Sequence, residues 1–363
     1  MMESNNLLRE IMKAFDIEME ISPYGDGHIN DTYIADSTPR YILQRINTDI
    51  FKNHEKLMEN IELVTSHIKE IILKNGGNVK RETLNVIKTT DGKLFYEATD
   101  GKIYRVYNFI ENTVSLNLPE NAKQFEASAK AFGKFQNMLS DFDASNLYET
   151  IPNFHNTISR TKDLKQAYEK NIAGRKDEVK DIYEGYLKFE DDAHIITSEL
   201  SKGIIPTRVT HNDTKLNNVL FDKDTFEGIC VIDLDTVMPG SLLFDYGDSL
   251  RFGASTSEED EADLSKVWFN LEYFESYTKG YLSELKDKIT KREIELLPLS
   301  ALNMTYECGI RFLTDYLNGD TYFKVHYEGQ NLNRAKNHLK LCQDIFSKLD
   351  EMKKIVEKYI WFF

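Results

Sequence analysis

The chain is poor in the features that mark exported, cross-linked or basic proteins. Its three cysteines, Cys230, Cys308 and Cys342, are odd in number and lack C-x-x-C spacing, which is typical of buried thiols in a reducing compartment. The formal charge of −15 argues against nucleic acid or an anionic membrane as a partner. No apolar run has the length of a membrane span, and no signal-peptide pattern precedes the early acidic residues. We therefore expect a cytoplasmic protein.

Two catalytic motifs are also missing. The absence of a G-x-x-x-x-G-K-[ST] segment excludes a Walker-type nucleoside triphosphatase, and His54-Glu55 lacks the second histidine of a zinc protease. Hydrophobic residues nevertheless make up 41% of the chain and aromatic residues 12%. That composition is typical of a globular enzyme, and the length allows one large or two medium domains with a sizeable core.

The most informative segment is HNDTKLNN at residues 211–218. Asp213, Lys215 and Asn218 follow His211 at the spacing of a kinase catalytic loop. In such a loop the aspartate receives the proton of the acceptor hydroxyl and the asparagine binds Mg²⁺. We therefore predict Asp213 as the catalytic base. His211 either braces the loop through a backbone hydrogen bond or transfers a proton itself.

Two short apolar runs, 219–221 and 229–232, follow this loop and are separated by a polar turn. Folded as an antiparallel hairpin, they would bring Asn218 at one end close to Asp233 at the other. An amide oxygen beside a carboxylate suits Mg²⁺, which takes its remaining ligands from phosphate and water. We predict Asn218 and Asp233 as the metal ligands. Asp235 is either a second ligand or a brace for the loop.

Two lobes of different composition are predicted. Residues 1–112 contain a glycine-interrupted hairpin, a strand at 41–46, a helix at 51–72 and two Asp-Gly hairpin turns. From about residue 117 the pattern is helical, with aromatic stripes, Phe346 among them, that we assign to the core. We expect an α+β fold in which residues 1–112 form a nucleotide-binding lobe. Residues 113–363 would form the catalytic lobe, with the hairpin inside it and the nucleotide in the cleft between the lobes.

The first lobe offers backbone groups and aromatic rings for a nucleotide. Gly25, Gly27 and His28 lie in the first hairpin, where backbone N–H groups can cover phosphates. Tyr107 and Phe109 lie at the end of the lobe. We predict all five as contacts of the nucleotide.

A kinase also needs a cation from its third strand and a helix carboxylate to orient it. The strand at 41–46 offers Gln44 and Arg45 and no lysine in register. We predict Arg45, because a guanidinium can bind phosphates in a bidentate manner, although a shift of one residue reverses the face. The partner is Glu55, Glu59 or Glu62, and of these we select Glu59.

Further blocks of sequence carry a resemblance to a known family. With 211–218 and 231–240, the segments 41–47, 244–252 and 307–317 resemble the aminoglycoside phosphotransferase and choline kinase superfamily, and most closely its N-acetylhexosamine 1-kinases. The resemblance implies a protein-kinase-like fold, with a small antiparallel N-terminal lobe and a larger, mostly helical C-terminal lobe. It also implies transfer of phosphate to the anomeric hydroxyl of GlcNAc or GalNAc, with ATP and Mg²⁺ as cofactors and no obligate protein partner.

The same resemblance implies roles for individual residues. Lys215 would contact the transferring phosphate, and Asp213 would contact the acceptor hydroxyl. The sugar contacts would be Ile29, Phe252, Arg311 and Tyr322.

The sequence leaves the roles of some residues undecided. Arg311 could instead form an ion pair with Asp315 on the same helix. We expect Asp245 and Asp248 to anchor the loop after the metal strand. His155 lies in a block that resembles the family, but no role follows from the sequence.

Two alternative functions remain open. The acceptor could be another sugar, an amino alcohol or an aminoglycoside, or the chain could be a pseudokinase that only binds nucleotide or sugar. The intact Asp213, Asn218 and Asp233 argue against a pseudokinase. A protein kinase is disfavoured because no Ala-Pro-Glu segment follows the metal strand, and Asp-Leu-Asp stands in place of Asp-Phe-Gly.

Overall fold

A computed structural model of the chain describes residues 2–17, 21–25, 30–36 and 38–360, apart from the side chains of 2–6 and 286. The α-helices are α1 Met2–Ala14, α2 His54–Lys74, α3 Val79–Glu82, α4 Ala122–Met138, α5 Thr157–Lys170, α6 Lys180–Leu187, α7 Glu190–Ser201, α8 Leu242–Gly253, α9 Leu271–Leu285, α10 Lys291–Asn318 and α11 Gln330–Ile360. The strands are β1 Ile21–Pro23, β2 Asp31–Ala35, β3 Tyr41–Ile46, β4 Val86–Ile87, β5 Tyr96–Glu97, β6 Ile103–Asn108, β7 Thr113–Val114, β8 Arg208–Thr210, β9 Val219–Asp222, β10 Gly228–Val231 and β11 Met238–Gly240. Short 3₁₀ helices occur at Ala144–Asn146, Asp177–Val179, Leu216–Asn218, Leu234–Thr236, Leu264–Lys266 and Lys286–Lys288.

The chain divides into two compact units, each made of several segments. The first comprises Met1–Ser115, Asp141–Pro152 and Val219–Pro239, and the second comprises Leu116–Ser140, Asn153–Asn218 and Gly240–Phe363. The predicted boundary after residue 112 did not anticipate the two later segments of the first unit. None of the helices in the described ranges combines the length and the apolar character that crossing a membrane requires.

The first unit is built on an antiparallel sheet. Its strands lie in the order β1-β2-β3-β6-β4, and β5 also pairs with β6. β3 and β6 pair along their whole length, from Tyr41 opposite Asn108 to Ile46 opposite Ile103. The strand predicted at 41–46 is therefore confirmed. The two Asp-Gly turns are also present, and Gly101 has a φ of +74°, a left-handed conformation that favours glycine.

Helices α1 and α2 complete this unit through their apolar faces. Ile11 and Met12 of α1, and Phe15 directly after it, are buried in a cluster with Leu43 and Val106 of the sheet. α2 begins after Asn53, whose side chain accepts a hydrogen bond from the backbone N–H of Lys56, a capping arrangement that satisfies an otherwise unpaired donor. Leu57, Ile61, Val64 and Ile68, which follow helical spacing, are buried along α2.

The hairpin of β9 and β10 belongs to the first unit, not to the helical one as predicted. β9 pairs with β10 on one side and with β7 on the other, where Val114 lies opposite Phe221. Arg81 of α3 also forms an ion pair with Asp222 at the end of β9. These non-local contacts join the hairpin to the sheet-bearing unit, although it follows the loop at 211–218 directly in sequence.

The second unit is a helical assembly with a core rich in aromatic residues. α4 and α9 pack closely, because a Cβ atom at Gly280 would lie only 2.5 Å from the backbone oxygen of Glu126. Phe125 and Tyr277 from the predicted stripes are buried, with ring centroids 4.7 Å apart. The assignment of Phe346 to the core is wrong: it is 45% exposed, and Ile345 occupies the buried face of α11.

Candidate active site

A buried carboxylate on α8 anchors the loop at residues 211–218. Asp245 accepts hydrogen bonds from the backbone N–H groups of His211 (2.9 Å) and Asn212 (2.8 Å) and from the side-chain amide of Gln136 (2.8 Å). The hydroxyl of Thr214 donates to the backbone carbonyl of Asp245 at 2.7 Å. Burial raises the pKa of Asp245, against the opposing influence of His211. Asp245 therefore anchors the loop at 211–218, not the loop after the predicted metal strand.

His211 is buried beneath this loop. Its ring makes edge contacts with Phe132 and Phe135, at centroid distances of 5.7 and 6.0 Å. Its Nδ1 accepts the backbone N–H of Asp213 at 3.3 Å. A ring with 0% exposure has no access to a substrate, so the bracing role is the one that the structure supports.

Asp213 is held by two side chains of its own loop. Lys215 Nζ lies 3.1 Å from its Oδ1, and the amide of Asn218 donates to its backbone carbonyl (2.8 Å) and to its Oδ2 (3.2 Å). Burial alone lowers the pKa of Lys215, but the charges of Asp213 and Asp248 more than offset this effect, and the net shift is upward. The loop thus presents a fixed carboxylate beside a protonated amine.

The predicted hairpin is present and carries Asp233 beyond its end. Val219 lies opposite Val231; Asn218 directly precedes the first of these residues, and Asp233 follows the second by two positions. Asp233 is exposed and has left-handed backbone angles, φ 60° and ψ 58°. Such a conformation is costly for a residue other than glycine and is often found at functional sites.

The two predicted metal ligands have donor atoms of the right chemistry for Mg²⁺. Asn218 directs its amide nitrogen to Asp213, which leaves its amide oxygen as the ligand atom. Asp233 offers an exposed carboxylate. Hard oxygen ligands of these two kinds fit a magnesium ion that also binds phosphate oxygens and water.

Asp235 forms a buried ion pair. Its Oδ1 lies 2.5 Å from Nη1 of Arg105, and its Oδ2 accepts a hydrogen bond from the amide of Asn30 at 2.7 Å. Both members of the ion pair are nearly inaccessible, with side-chain exposures of 1% for Arg105 and 5% for Asp235. Burial alone lowers the pKa of Arg105, but the charge of Asp235 opposes it, and the net shift is upward. The sequence left two roles open for Asp235, a second metal ligand or a brace for the loop. These contacts support the role of a brace.

Arg105 is a cation that sequence reasoning missed. It lies directly opposite Gln44 in the β3–β6 pair and donates to Gln44 Oε1 from Nε (3.1 Å) and Nη2 (2.8 Å). Arg45 points to the other face of the sheet and forms a partly exposed ion pair with Asp31. The register left open by the sequence thus places Gln44 and Arg105, not Arg45, on the face that Asp235 contacts. The only sequence signal was an arginine inside the apolar strand IYRVYN.

The inner face of α2 carries no carboxylate for this cation. Glu55 and Glu59 are exposed, and Glu62 forms an ion pair with Lys88 at 2.9 Å. The buried positions beside Glu59 are Met58 and Asn60. The sulfur of Met58 accepts from Arg105 at 3.8 Å, and the amide of Asn60 donates to the backbone of the turn after Asp235 at 3.0 Å. The helical spacing of α2 therefore turns Glu59 to solvent, and Asp235 replaces it as the carboxylate partner.

The other predicted nucleotide contacts lie in different surroundings. Tyr107 is buried, with its ring 5.2 Å from the guanidinium of Arg105, and Phe109 is half-buried beneath the guanidinium of Arg40, at 4.0 Å. Gly25 has a φ of +71°, as suits a glycine in a tight turn. Gly27, His28 and Ile29 lie outside the described residues.

Arg311 lies among aromatic rings. Its guanidinium carbon is 5.8 Å from the ring centroid of Phe154, 5.9 Å from that of Tyr322 and 5.4 Å from that of Phe323. Asp315 does not form the ion pair considered above, because it accepts three successive backbone N–H groups of residues 321–323 at 2.8–2.9 Å. Asp315 thus holds the loop that brings Tyr322, which is 71% exposed, towards Arg311.

Phe252 and Asp248 lie on α8, on either side of Arg251 in sequence. Phe252 is half-buried. Asp248 is buried and accepts a hydrogen bond from Arg251 Nε at 2.9 Å, so it does not serve the loop after the metal strand. Burial raises the pKa of Asp248, but the charge of Arg251 opposes it, and the net shift is downward.

His155 connects the segment before α5 to α10. Its Nδ1 lies 2.7 Å from Glu307 Oε1, and the hydroxyl of Thr157 donates to Glu307 Oε2 at 2.6 Å. Burial raises the pKa of Glu307, but the charge of His155 opposes it and the net shift is downward. Because Phe154 precedes this histidine and Arg311 lies one helical turn after Glu307, the pair fixes one side of the Arg311 cluster.

The chain matches a family profile and is similar to several solved structures. Residues 20–279 match the profile of the phosphotransferase enzyme family. The chain is similar to a microcompartment-associated aminopropanol kinase, with 14% identity, a TM-score of 0.60 and coverage of 96% of this chain and 98% of that one. A spectinomycin phosphotransferase, solved with ADP and spectinomycin, has 16% identity, a TM-score of 0.56 and coverage of 96% and 98%. A choline kinase from Streptococcus pneumoniae has 13% identity, a TM-score of 0.55 and coverage of 95% and 99%. At these identities the structures establish the fold alone, and the expected kinase-like fold is confirmed.

Proposed function

The chain belongs to the phosphotransferase enzyme family, and from this premise we propose that it transfers the γ-phosphate of ATP to the anomeric hydroxyl of GlcNAc and GalNAc. The observation that carries the phosphate transfer in this proposal is the fixed carboxylate of Asp213, held by Lys215 at 3.1 Å and by the amide of Asn218. In this arrangement Asp213 accepts the proton of the acceptor hydroxyl as phosphate is transferred. Lys215 then stabilises negative charge on the transferring phosphate.

Asn218 and Asp233 are the proposed ligands of Mg²⁺. The ion supplies positive charge that stabilises the phosphates of ATP during transfer. The exposed carboxylate of Asp233 and the amide oxygen of Asn218 support this assignment. Tyr107 and Phe109, with Gly25, Gly27 and His28, remain proposed contacts of the nucleotide.

The acceptor is proposed to bind beside Arg311. Phe252, Tyr322 and Ile29 would provide aromatic and aliphatic surface for the sugar ring and the acetamido methyl group, and Arg311 a donor for a carbonyl or hydroxyl oxygen. Amino alcohols and aminoglycosides carry positive charge, which a guanidinium repels. The positive charge of Arg311 in this cluster of rings therefore favours a neutral sugar over the cationic acceptors of the alternative functions.

One experiment separates the acceptors. ATP consumption is measured with GlcNAc, GalNAc, glucose, galactose, choline, homoserine and an aminoglycoside, and products are examined by ³¹P NMR. We expect GlcNAc and GalNAc to exceed glucose and galactose by about 10–200-fold in kcat/KM, the usual effect of one well-placed group. The product should be a 1-phosphate, whose phosphorus couples to the anomeric proton. A 6-phosphate, or a preference for choline or the aminoglycoside, would overturn the acceptor assignment.

Two variants test the proposed roles of Asp213 and Arg311. Asp213→Asn should lower kcat by about 10²–10⁴-fold, the usual value of general-base assistance, while nucleotide still binds. Arg311→Ala should raise KM for the sugar and leave KM for ATP unchanged. Arg292→Ala is the matched control, because Arg292 lies near the other end of α10 in a surface ion pair with Glu199. An Asp213→Asn enzyme with more than about a tenth of wild-type activity would contradict the assignment of the base.

A further inference from the structure

The first unit contains a buried cation that the proposed mechanism has not used. Kinases orient the phosphates of ATP with a lysine on the third strand, and that lysine pairs with a helix glutamate. Here β3 carries Gln44 at the inward position, and α2 presents Met58 and Asn60 inward while Glu59 faces solvent. Both members of the usual pair are therefore absent from their usual positions in the described residues.

A cation and a carboxylate occur instead on neighbouring elements. Arg105 on β6 is the cross-strand neighbour of Gln44, and opposed side chains in a sheet are close enough for a guanidinium to occupy the space in front of its neighbour. The carboxylate is Asp235, at 2.5 Å from Arg105 Nη1. It lies in the 3₁₀ turn Leu234–Thr236 that directly follows the proposed metal ligand Asp233.

All three nitrogen atoms of the Arg105 guanidinium make contacts with neighbouring side chains. Nε and Nη2 donate to Gln44 Oε1, while Nη1 faces Asp235 and the sulfur of Met58. A planar guanidinium with several fixed donors can make these contacts together, whereas the single ammonium of a lysine cannot. Asn30 holds the other oxygen of Asp235 at 2.7 Å. The pair thus ties the central sheet directly to the turn behind Asp233.

We infer that Arg105 is the strand cation of this kinase, moved from β3 to β6, and that with Asp235 it positions Asp233 for Mg²⁺-nucleotide. With a side-chain exposure of 1% it is a positioning residue and acts through Asp235. The left-handed backbone of Asp233, with φ 60°, is a conformation that neighbouring structure must impose, and the ion pair supplies that restraint. This inference deepens the proposed function and rests on it only for the use of ATP.

An exchange of residues across the strand pair tests the inference. Arg105→Gln removes the cation, Gln44→Arg adds a second one, and the double variant Gln44→Arg/Arg105→Gln returns one cation to the usual strand. Each purified protein is measured for Mg²⁺-dependent binding of a fluorescent ADP analogue, for kcat and KM of MgATP, and for Tm. The matched control is Arg45→Gln, which removes a neighbouring arginine on the other face of the sheet.

We expect Arg105→Gln to weaken Mg²⁺-dependent nucleotide binding by at least about tenfold and to lower kcat/KM for MgATP by about 100-fold, the cost of slight misplacement of reacting groups. The exchange variant should recover at least a tenth of wild-type kcat/KM, and Arg45→Gln should stay within threefold of wild type. A merely structural role would lower Tm in the exchange variant without this recovery.

Two results would overturn the inference. One is an Arg105→Gln protein whose nucleotide binding and kcat/KM lie within threefold of wild type. The other is an exchange variant that folds, with a Tm near that of wild type, and is no more active than Arg105→Gln. If Arg105→Gln does not fold, the comparison of the exchange variant with wild type decides the question. The binding measurement needs no acceptor, so a wild-type enzyme that binds Mg²⁺-nucleotide but phosphorylates no N-acetylhexosamine would refute the proposed function alone.

Discussion

The substitution Asp245→Asn would test how the loop at 211–218 is held. Asp245 Oδ2 accepts the N–H groups of His211 and Gln136, and Oδ1 accepts that of Asn212. An asparagine of the same shape keeps only one acceptor oxygen. In its better orientation it retains two of these hydrogen bonds and turns its own N–H₂ group against the backbone N–H of Asn212.

The expected loss of stability follows from the one hydrogen bond that the variant cannot make. One buried donor left without an acceptor costs about 1–3 kcal/mol of stability. In a unit of this size, each kilocalorie lowers Tm by about 2–4 °C. Because Asn212 directly precedes Asp213, the released N–H lets the carboxylate of Asp213, the proposed base, move. A displacement of about 1 Å can reduce kcat by about 100-fold.

The assay is a comparison of Asp245→Asn with wild type in Tm, kcat and both KM values. We expect a lower Tm and a lower kcat, with KM for ATP and for the acceptor little changed, since the variant alters neither binding surface. A variant that loses the expected stability but keeps kcat within twofold of wild type would refute the link between loop anchoring and catalysis. Unchanged stability would show that the three hydrogen bonds do not hold the loop.

Three further predictions concern other parts of the second unit. Asp315→Asn makes the same chemical change in the loop at 321–323 and should raise KM for the acceptor with little effect on kcat; a fall in kcat alone would contradict this division. Lys215→Met should lower kcat by about 100-fold or more, since it removes charge stabilisation at the transferring phosphate, and a variant within threefold of wild type would exclude that role. Burial lowers the pKa of His338 to about 4. The unfolded chain therefore binds this proton below about pH 6.5 while the folded chain does not, and unfolding free energy should fall by about 2 kcal/mol between pH 7 and pH 5. His338→Gln should remove that step in denaturant titrations at the two pH values, and an unchanged step would assign it to other groups.

The contacts within the loop at 211–218 and the hairpin that follows it could be predicted from the sequence because both depend on local spacing. Asp213, Lys215 and Asn218 lie within one short loop, so their mutual contacts follow from a few neighbouring residues. The hairpin depends on two adjacent apolar runs and a turn, and its pairing of Val219 with Val231 needs no distant segment. The change from strand patterns to helix patterns along the chain likewise predicted an α+β fold with two lobes, whereas the kinase-like fold was implied by the family resemblance.

The buried ion pair could be decided only by the tertiary structure. Which side of β3 faces inward depends on its register with β6, where Gln44 meets a residue 61 positions away, and a shift of one residue exchanges Gln44 for Arg45. The partner carboxylate, Asp235, comes from yet another segment, so no local spacing connects it to Arg105. Local spacing alone fixed the residues of the catalytic loop, whereas non-local strand pairing decided which cation and carboxylate meet behind Asp233.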